Sequence, residues 1–310
     1  MINVDIIKFL IEHDVNQKLI DDIIYFKNFY KIDNESKDRI PEPTNFFYGK
    51  DIWEMSIAAL LEGENILLSG PKATGKNVLS DNLCHLFGRP QWNVSFHVNT
   101  DSSSLIGTDT FQDNEVKLRK GAVYRCAVHG GFGIFDEINM AKNDAIVVLH
   151  SALDYRRIID IPGYDKIKLH EATRFIGTMN YDYAGTKDLN EALVSRFLVV
   201  DIPKVDREKL LRILKDEFND ANEEILNQFI GVFLDLQTKS ENSEISTKAV
   251  DLRGLISALK TIRRGLKPRL AIRMGITGKT FDEYEKEIVG DIIRTRIPEA
   301  WKATDVFPSI

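Results

Sequence analysis

Five short stretches of this chain are almost continuously apolar: residues 65–69, 92–98, 131–135, 174–179 and 197–202. Runs of this length without a polar alternation suit strands covered on both faces of a parallel sheet. Helical periodicities separate them from about Gly49 to Pro203, so the pattern predicts an α/β fold, a three-layer αβα core around a five-stranded parallel sheet. Two segments interrupt the alternation. Residues 109–120 carry Asp113-Asn114 between short flanks, and residues 156–169 carry Pro162-Gly163 between Ile158-Ile159-Asp160-Ile161 and Lys166-Ile167-Lys168-Leu169. Both predict hairpins projecting from the sheet.

Outside the core the spacing is helical throughout. Ile6, Ile7, Phe9, Leu10, Ile11, Leu19, Ile20, Ile23, Ile24 and Phe26 predict a helical leader to about residue 31, followed by a polar linker, Asp33 to Asp38, with Pro41 and Pro43. Beyond Pro203 the segments 206–217, 221–239, 247–264 and 281–295 predict helices. The expected organisation is a leader and linker over 1–40, the αβα core over 41–203 and a helical domain over 204–310.

Composition narrows the function classes. With 47 acidic and 41 basic residues among 310, the net charge is −6, which gives no broad attraction to nucleic acid or to an anionic membrane. No apolar stretch is long enough to span a bilayer, and Met1-Ile2-Asn3-Val4-Asp5 does not open a signal sequence, so a cytoplasmic location is expected. Cys84 and Cys126 fall in apolar-patterned segments, as buried reduced thiols do, and the six histidines show no metal-ligand spacing.

The chemistry lies where the first apolar run ends. Gly70-Pro71-Lys72-Ala73-Thr74-Gly75-Lys76-Asn77 follows Ile66-Leu67-Leu68-Ser69, in a strand–loop–helix context. A loop of this form surrounds a β-phosphate with backbone N–H groups and a helix N-terminus, while Lys76 reaches the β and γ oxygens. The phosphate-loop pattern is met everywhere except at Asn77, which stands where a hydroxyl normally ligates Mg²⁺. A second apolar run, Gly131-Phe132-Gly133-Ile134-Phe135, delivers Asp136 and Glu137 to the same sheet edge, with Asp136 expected to hold Mg²⁺ and Glu137 to polarise the attacking water. ATP and Mg²⁺ are the expected cofactors, and Asn77 and Asp136 the expected metal contacts.

The order of blocks then resembles a known family. The phosphate loop, Leu105-Ile106-Gly107, Lys120-Gly121-Ala122-Val123, Gly133-Ile134-Phe135-Asp136-Glu137-Ile138-Asn139, Gly177-Thr178-Met179-Asn180 and Leu189-Asn190-Glu191-Ala192-Leu193-Val194-Ser195-Arg196-Phe197 are similar to AAA+ ATPases of the MoxR type, with the CbbQ and NorQ activators nearest. The resemblance covers about residues 45–300. It implies a core followed by a helical lid, a homo-oligomeric ring expected to be a hexamer, and a client or cofactor protein that in relatives often bears a von Willebrand factor A domain.

It also implies roles for single residues. Asn180 resembles the sensor that orients the lytic water, the alternative being a turn-forming residue before Tyr181-Asp182. Arg196 resembles an arginine finger presented to a neighbouring subunit, the alternative being a surface arginine paired with a carboxylate such as Glu191. Arg253, in Asp251-Leu252-Arg253-Gly254, matches the lid arginine, acting on its own or on a neighbour's nucleotide. Glu137, Asn180, Arg196 and Arg253 are therefore the candidate catalytic set. Phe47-Tyr48-Gly49 falls where related proteins lodge adenine, with base stacking and core packing both open to the aromatics. The candidate nucleotide contacts are Tyr48, Gly49, Gly70, Pro71, Lys72, Ala73, Thr74, Gly75, Lys76, Asn77 and Val78.

An ATP-driven ring motor that remodels a partner protein is the leading expectation. A nucleotide-binding scaffold with little turnover is the alternative raised by Asn77. A GTP-driven restriction motor fits less well, because the segment Tyr181-Asp182-Tyr183-Ala184-Gly185-Thr186 is unlike that group. The basic series Lys260, Arg263, Arg264, Lys267, Arg269 and Arg273 is expected to be a solvated face rather than a nucleic-acid contact.

Overall fold

The computed structural model describes residues 5–112, 114–161, 163–180 and 189–309. Asp113 and Pro162, at the two expected hairpin turns, and Tyr181 to Thr186 lie outside the described residues. Nine strands are described: β1 (Ile66–Gly70), β2 (Gln91–Ser95), β3 (Gly107–Gln112), β4 (Glu115–Lys120), β5 (Phe132–Asp136), β6 (Ile158–Ile159), β7 (Ile167–Lys168), β8 (Arg174–Asn180) and β9 (Leu198–Asp201). The five predicted apolar runs form one parallel sheet in the order β2-β5-β8-β1-β9. Helices flank it, as the α/β expectation required. β2 stops at Ser95 rather than at residue 98, because the chain turns where the His97 N–H donates to Thr100 Oγ1 at 2.9 Å.

Side chains alternate between the two faces of the sheet. Ile66, Leu68, Ile134, Ile176 and Val200 pack with the helices Lys50–Leu61 and Lys76–Phe87, while Leu67, Phe135 and Phe175 face the helix Ala122–His129 and the turns that follow β5. The N-terminal helices Ile6–Glu12 and Gln17–Phe29, capped by Asp5 and Asn16, share the first of these layers. Phe9, Leu10, Ile20, Ile23 and Phe26 are buried there, and the Phe26 and Phe87 rings meet edge-on at 5.2 Å.

At the base of the sheet, three helix C-termini converge on two arginines. Arg89, 1% exposed, donates to Tyr30 O (2.8 Å), His129 O (3.3 Å) and Gly130 O (2.7 Å); Arg174, 4% exposed, donates to Leu60 O (2.7 Å), Glu171 O (2.6 Å) and Thr173 O (2.8 Å). Neither forms an ion pair with a described residue. Carbonyl oxygens at helix ends carry partial negative charge, so they solvate the guanidinium groups in place of a carboxylate. Burial still lowers both pKa values, that of Arg174 to about 10, which leaves it cationic at neutral pH.

Both expected hairpins are present. β3 pairs with β4 from Gly107↔Lys120 to Gln112↔Glu115, and β6 pairs with β7. They are joined by the Tyr164 hydroxyl, which donates to Asp109 Oδ1 at 2.6 Å. The Phe111 and Val116 side chains, facing cross-strand partners near the first hairpin's turn, are exposed.

The chain divides into two compact units, one of residues up to Pro71 with Gly75–Pro203, the other of residues from Lys204 onward with Lys72–Thr74. In the second unit the helices Arg207–Glu217, Glu223–Glu241, Leu252–Ile262, Pro268–Gly275 and Glu283–Arg296 enclose a separate apolar core. The predicted helix 247–264 begins only at Leu252, because the Asp251 side chain caps it by accepting the Gly254 N–H at 3.0 Å. The helix Pro268–Gly275 has no counterpart among the sequence expectations, and a proline in its first turn starts it. These two helices cross glycine on glycine: a β-carbon on Gly254 would run into Gly275 O, and one on Gly275 into Gly254 O. Lys260, Arg263 and Arg269 of the basic series pair with Glu217, Asp220 and Glu299.

Candidate nucleotide site

Parallel register assembles the site. Asn180 pairs with Gly70 at the ends of β8 and β1, and β5 ends beside them at Asp136, so the loop after β1, the acidic pair after β5 and the polar end of β8 share one sheet edge. Ligand sites of open α/β sheets form at this carboxyl edge.

The loop itself is shaped by two residues in the left-handed region, Ala73 (φ 63°) and Gly75 (φ 90°). Successive residues of alternating hand turn backbone N–H groups toward a common centre, the arrangement that receives an anion. Gly75 has a second reason to lack a side chain, since a β-carbon there would stand 3.3 Å from the Phe47 ring. Lys76 opens the helix Lys76–Phe87 and is 6% exposed; its Nζ donates to Gly70 O at 2.8 Å and Pro71 O at 2.7 Å. Burial draws its pKa down to about 8, against the opposing attraction of Asp136 and Glu137. A bound phosphate would add a further negative charge beside this lysine.

Thr178 organises the acidic end. Its hydroxyl donates to Asp136 Oδ1 at 2.6 Å and accepts the Glu137 backbone N–H at 3.1 Å. Glu137 sits at φ 54°, ψ 46°, a left-handed turn that breaks the strand direction immediately after Asp136 and leaves the Glu137 carboxylate exposed. Asn180 Nδ2 donates to Glu137 Oε1 at 3.3 Å, and Asn139 Nδ2 holds Asn180 O at 3.0 Å. Asn77 Nδ2 reaches Asp136 Oδ2 at 3.3 Å. Thr178 and Asn139 were not among the sequence candidates. The signal for Thr178 was its place two residues before Asn180, where a hydroxyl ends a buried strand beside the acidic one.

On the other side of the loop, Asn82 fastens the segment before the helix Lys50–Leu61: Oδ1 accepts the Phe47 N–H at 2.8 Å and Nδ2 donates to Asn45 O at 3.0 Å. Trp53 Nε1 donates to Phe47 O at 2.8 Å. Phe47 is thereby a buried support beneath the phosphate loop, while Tyr48 is half-buried, with Phe9 and His13 at 5.5 and 5.4 Å. Gly49 caps the helix Lys50–Leu61.

Arg196 lies elsewhere on the sheet. Arg196 precedes β9, whose first residue Leu198 pairs with Ile66 at the start of β1, so it belongs to the opposite edge of the sheet from Gly70. Its guanidinium donates to His150 O (3.2 Å) and Ala192 O and lies 3.7 Å from Asp154 Oδ2, so its carboxylate partner is Asp154 rather than Glu191. Arg253 is exposed in the first turn of the helix Leu252–Ile262 in the C-terminal unit.

A family profile, the AAA domain of the dynein-related subfamily, matches residues 65–197. That span begins at β1 and takes in the loop, Asp136, Glu137, Asn180 and Arg196. The chain is 33% identical over 245 residues to the uncharacterized protein YojN of Bacillus subtilis, across 77% of this chain and 80% of that one. The chain belongs to the AAA family, dynein-related subfamily. An uncharacterized Staphylococcus epidermidis protein, SERP0979, is 31% identical over 244 residues, covering 77% of this chain and 92% of its own length. A Staphylococcus aureus relative, SAB1265c, is 32% identical over 232 residues, covering 73% and 88%. The matched span contains the phosphate loop, and an AAA domain supports an ATP-driven activity. Among the described residues no helix is long and apolar enough to cross a membrane.

This family implies Mg²⁺ with its nucleotide, and the donor set fits. Asp136 offers a carboxylate oriented by Thr178, and Asn77 offers an amide oxygen if its side chain turns over.

Proposed function

We propose that this AAA ATPase is a MoxR-like ring motor that couples Mg²⁺-dependent ATP hydrolysis to the remodelling of a partner protein, of which a von Willebrand factor A domain is the favoured form. The carrying observation is the placement of Arg196 at the sheet edge opposite the phosphate loop, joined to a complete acidic and amide set around that loop. A cation so placed has no nucleotide of its own to serve; in a ring, it serves the neighbour's.

Each residue then has a task. The loop N–H groups and Lys76 bind the phosphates. Asp136 would hold the Mg²⁺ needed for turnover, whose charge neutralises the β and γ oxygens as they react. Asn180 orients Glu137, which accepts the proton of the attacking water. Arg196 of an adjoining copy stabilises the charge that develops on the γ-phosphate. The hairpins β3–β4 and β6–β7, flanking this machinery in sequence, are the elements through which a client would be moved.

The test is a trap. Glu137→Gln should bind ATP yet turn it over at least about 10²-fold more slowly, and it should retain the client in a pull-down from the native cell when ATP is present. Wild-type turnover no faster than that of the variant, with the retained partner added, would replace the motor with the second reading. That reading, a nucleotide-responsive scaffold, is favoured by one contact, Asn77 on Asp136.

A further inference from the structure

Position 77 carries the departure from the phosphate-loop pattern, and its side chain does something a hydroxyl there would not. A serine or threonine hydroxyl rotates and can present a lone pair to a cation, whereas an amide has one donating and one accepting end. An ionised carboxylate accepts hydrogen bonds and donates none, so the end of Asn77 that faces Asp136 is the NH₂. That is the arrangement found, with Nδ2 at 3.3 Å from Oδ2. The other carboxylate oxygen is taken by the Thr178 hydroxyl at 2.6 Å, which fixes the plane of the group. Asparagine is also one bond longer than serine, and it reaches Asp136 directly.

We infer that Asn77 is a specificity-determining residue that takes the divalent cation's place at Asp136, so that nucleotide enters this loop with little dependence on Mg²⁺. The inference rests on the reading of the loop as a nucleotide site and deepens it. An N–H bears partial positive charge and satisfies the carboxylate in the absence of metal. Mg²⁺ holds its ligands at about 2.1 Å in a strict octahedron and sheds water reluctantly. To gain Asn77 as a ligand it must first turn the amide over and break its bond to Oδ2, which offsets part of what the ion would contribute. Lys76 and the loop N–H groups remain to hold the phosphates in either case.

The test is equilibrium binding of ADP to the full chain by calorimetry, once with EDTA and once with Mg²⁺, with no turnover involved. For the native chain the two dissociation constants should differ by less than about threefold. Asn77→Thr restores the hydroxyl, and Asn77→Asp sets a second carboxylate beside the first at unchanged side-chain volume; each should make ADP bind more than about tenfold more tightly with Mg²⁺ than without it. Thermal unfolding of both variants verifies that they are folded, and Asn77→Asp is isosteric should the threonine variant be lost. A native chain whose ADP affinity rises more than about tenfold with Mg²⁺, or folded variants that keep the native ratio, would overturn the inference while leaving the nucleotide site intact. Failure of ADP to bind in either medium would overturn the site itself.

Discussion

Lys76 and Arg196 stand at opposite ends of one strand pair. Lys76 follows the carboxyl end of β1, and Arg196 precedes β9, which pairs with β1 from Ile66↔Leu198 to Ser69↔Asp201. The length of β1, roughly 13 Å at about 3.3 Å per residue, separates the edge that carries the phosphate loop from the edge where the arginine sits.

If Arg196 serves a neighbour's nucleotide, two dead proteins should make a live one. Arg196→Ala should bind ATP almost normally and lose about 10³-fold or more in turnover, and Glu137→Gln should be equally inactive. On mixing, the arginine of a Glu137→Gln copy reaches the intact Glu137 of an adjacent Arg196→Ala copy, so activity returns. Mixed oligomers seen by native mass spectrometry that recover no activity would exclude a role across the interface.

Lys76 gives a stability signature in pH. Its folded pKa, about 8, lies below the unfolded value of 10.5, so between these values the unfolded chain holds the proton more firmly. Burial of the charged amine therefore opposes folding below about pH 8, and that opposition is relieved as pH rises toward about 10.5. Denaturation of the nucleotide-free protein should show this rise, and Lys76→Met should remove it while abolishing ADP binding. A Lys76→Met profile parallel to the native one across that window would mean that the lysine is not desolvated.

The glycine crossing in the C-terminal unit has a prediction that turns on sign. Alanine for glycine inside an exposed helix stabilises by about 1 kcal/mol through helix propensity alone. Gly254→Ala should instead destabilise by about 1–3 kcal/mol, because its β-carbon meets the Gly275 carbonyl in the facing helix. Gly290→Ala, whose β-carbon meets only the movable end of Arg294, should stabilise. Chemical denaturation of the two variants measures both signs.

Arg174 is tested by truncating its head group. Arg174→Met strands Leu60 O, Glu171 O and Thr173 O in the interior, and a loss of about 2–4 kcal/mol is expected. Arg174→Lys should recover little of it, since an ammonium cannot reproduce the planar fork that reaches three carbonyls. Full recovery by lysine, in urea titrations, would show that charge alone matters there.

Much of the fold was legible because parallel strands buried on both faces leave uninterrupted apolar runs, and 131–135 or 174–179 can hardly be anything else. The phosphate loop and Asp136-Glu137 were legible because their chemistry is compressed into contiguous residues. What was hidden depends on pairs far apart in the chain. Thr178 reads as an ordinary strand former until register lays β8 beside β5. Asp154 is no more evident than Glu191 as the partner of Arg196 until the chain returns past His150. The late start of the helix at Leu252 follows from one side-chain cap, which periodicity does not register.

The layer shared by the N-terminal helices and the sheet sets the smallest piece of this protein that can stand alone. A fragment cut to the matched span, 65–197, would lose the helix Lys50–Leu61 and both helices before it, and with them the cover over Ile66, Leu68, Ile134 and Ile176. It would also leave Arg174 without Leu60 O and Arg89 without Tyr30 O. The stretch that marks the ancestry of the chain is thus shorter than the stretch that folds, and an expression boundary drawn at the former should yield aggregate rather than an ATP-binding domain.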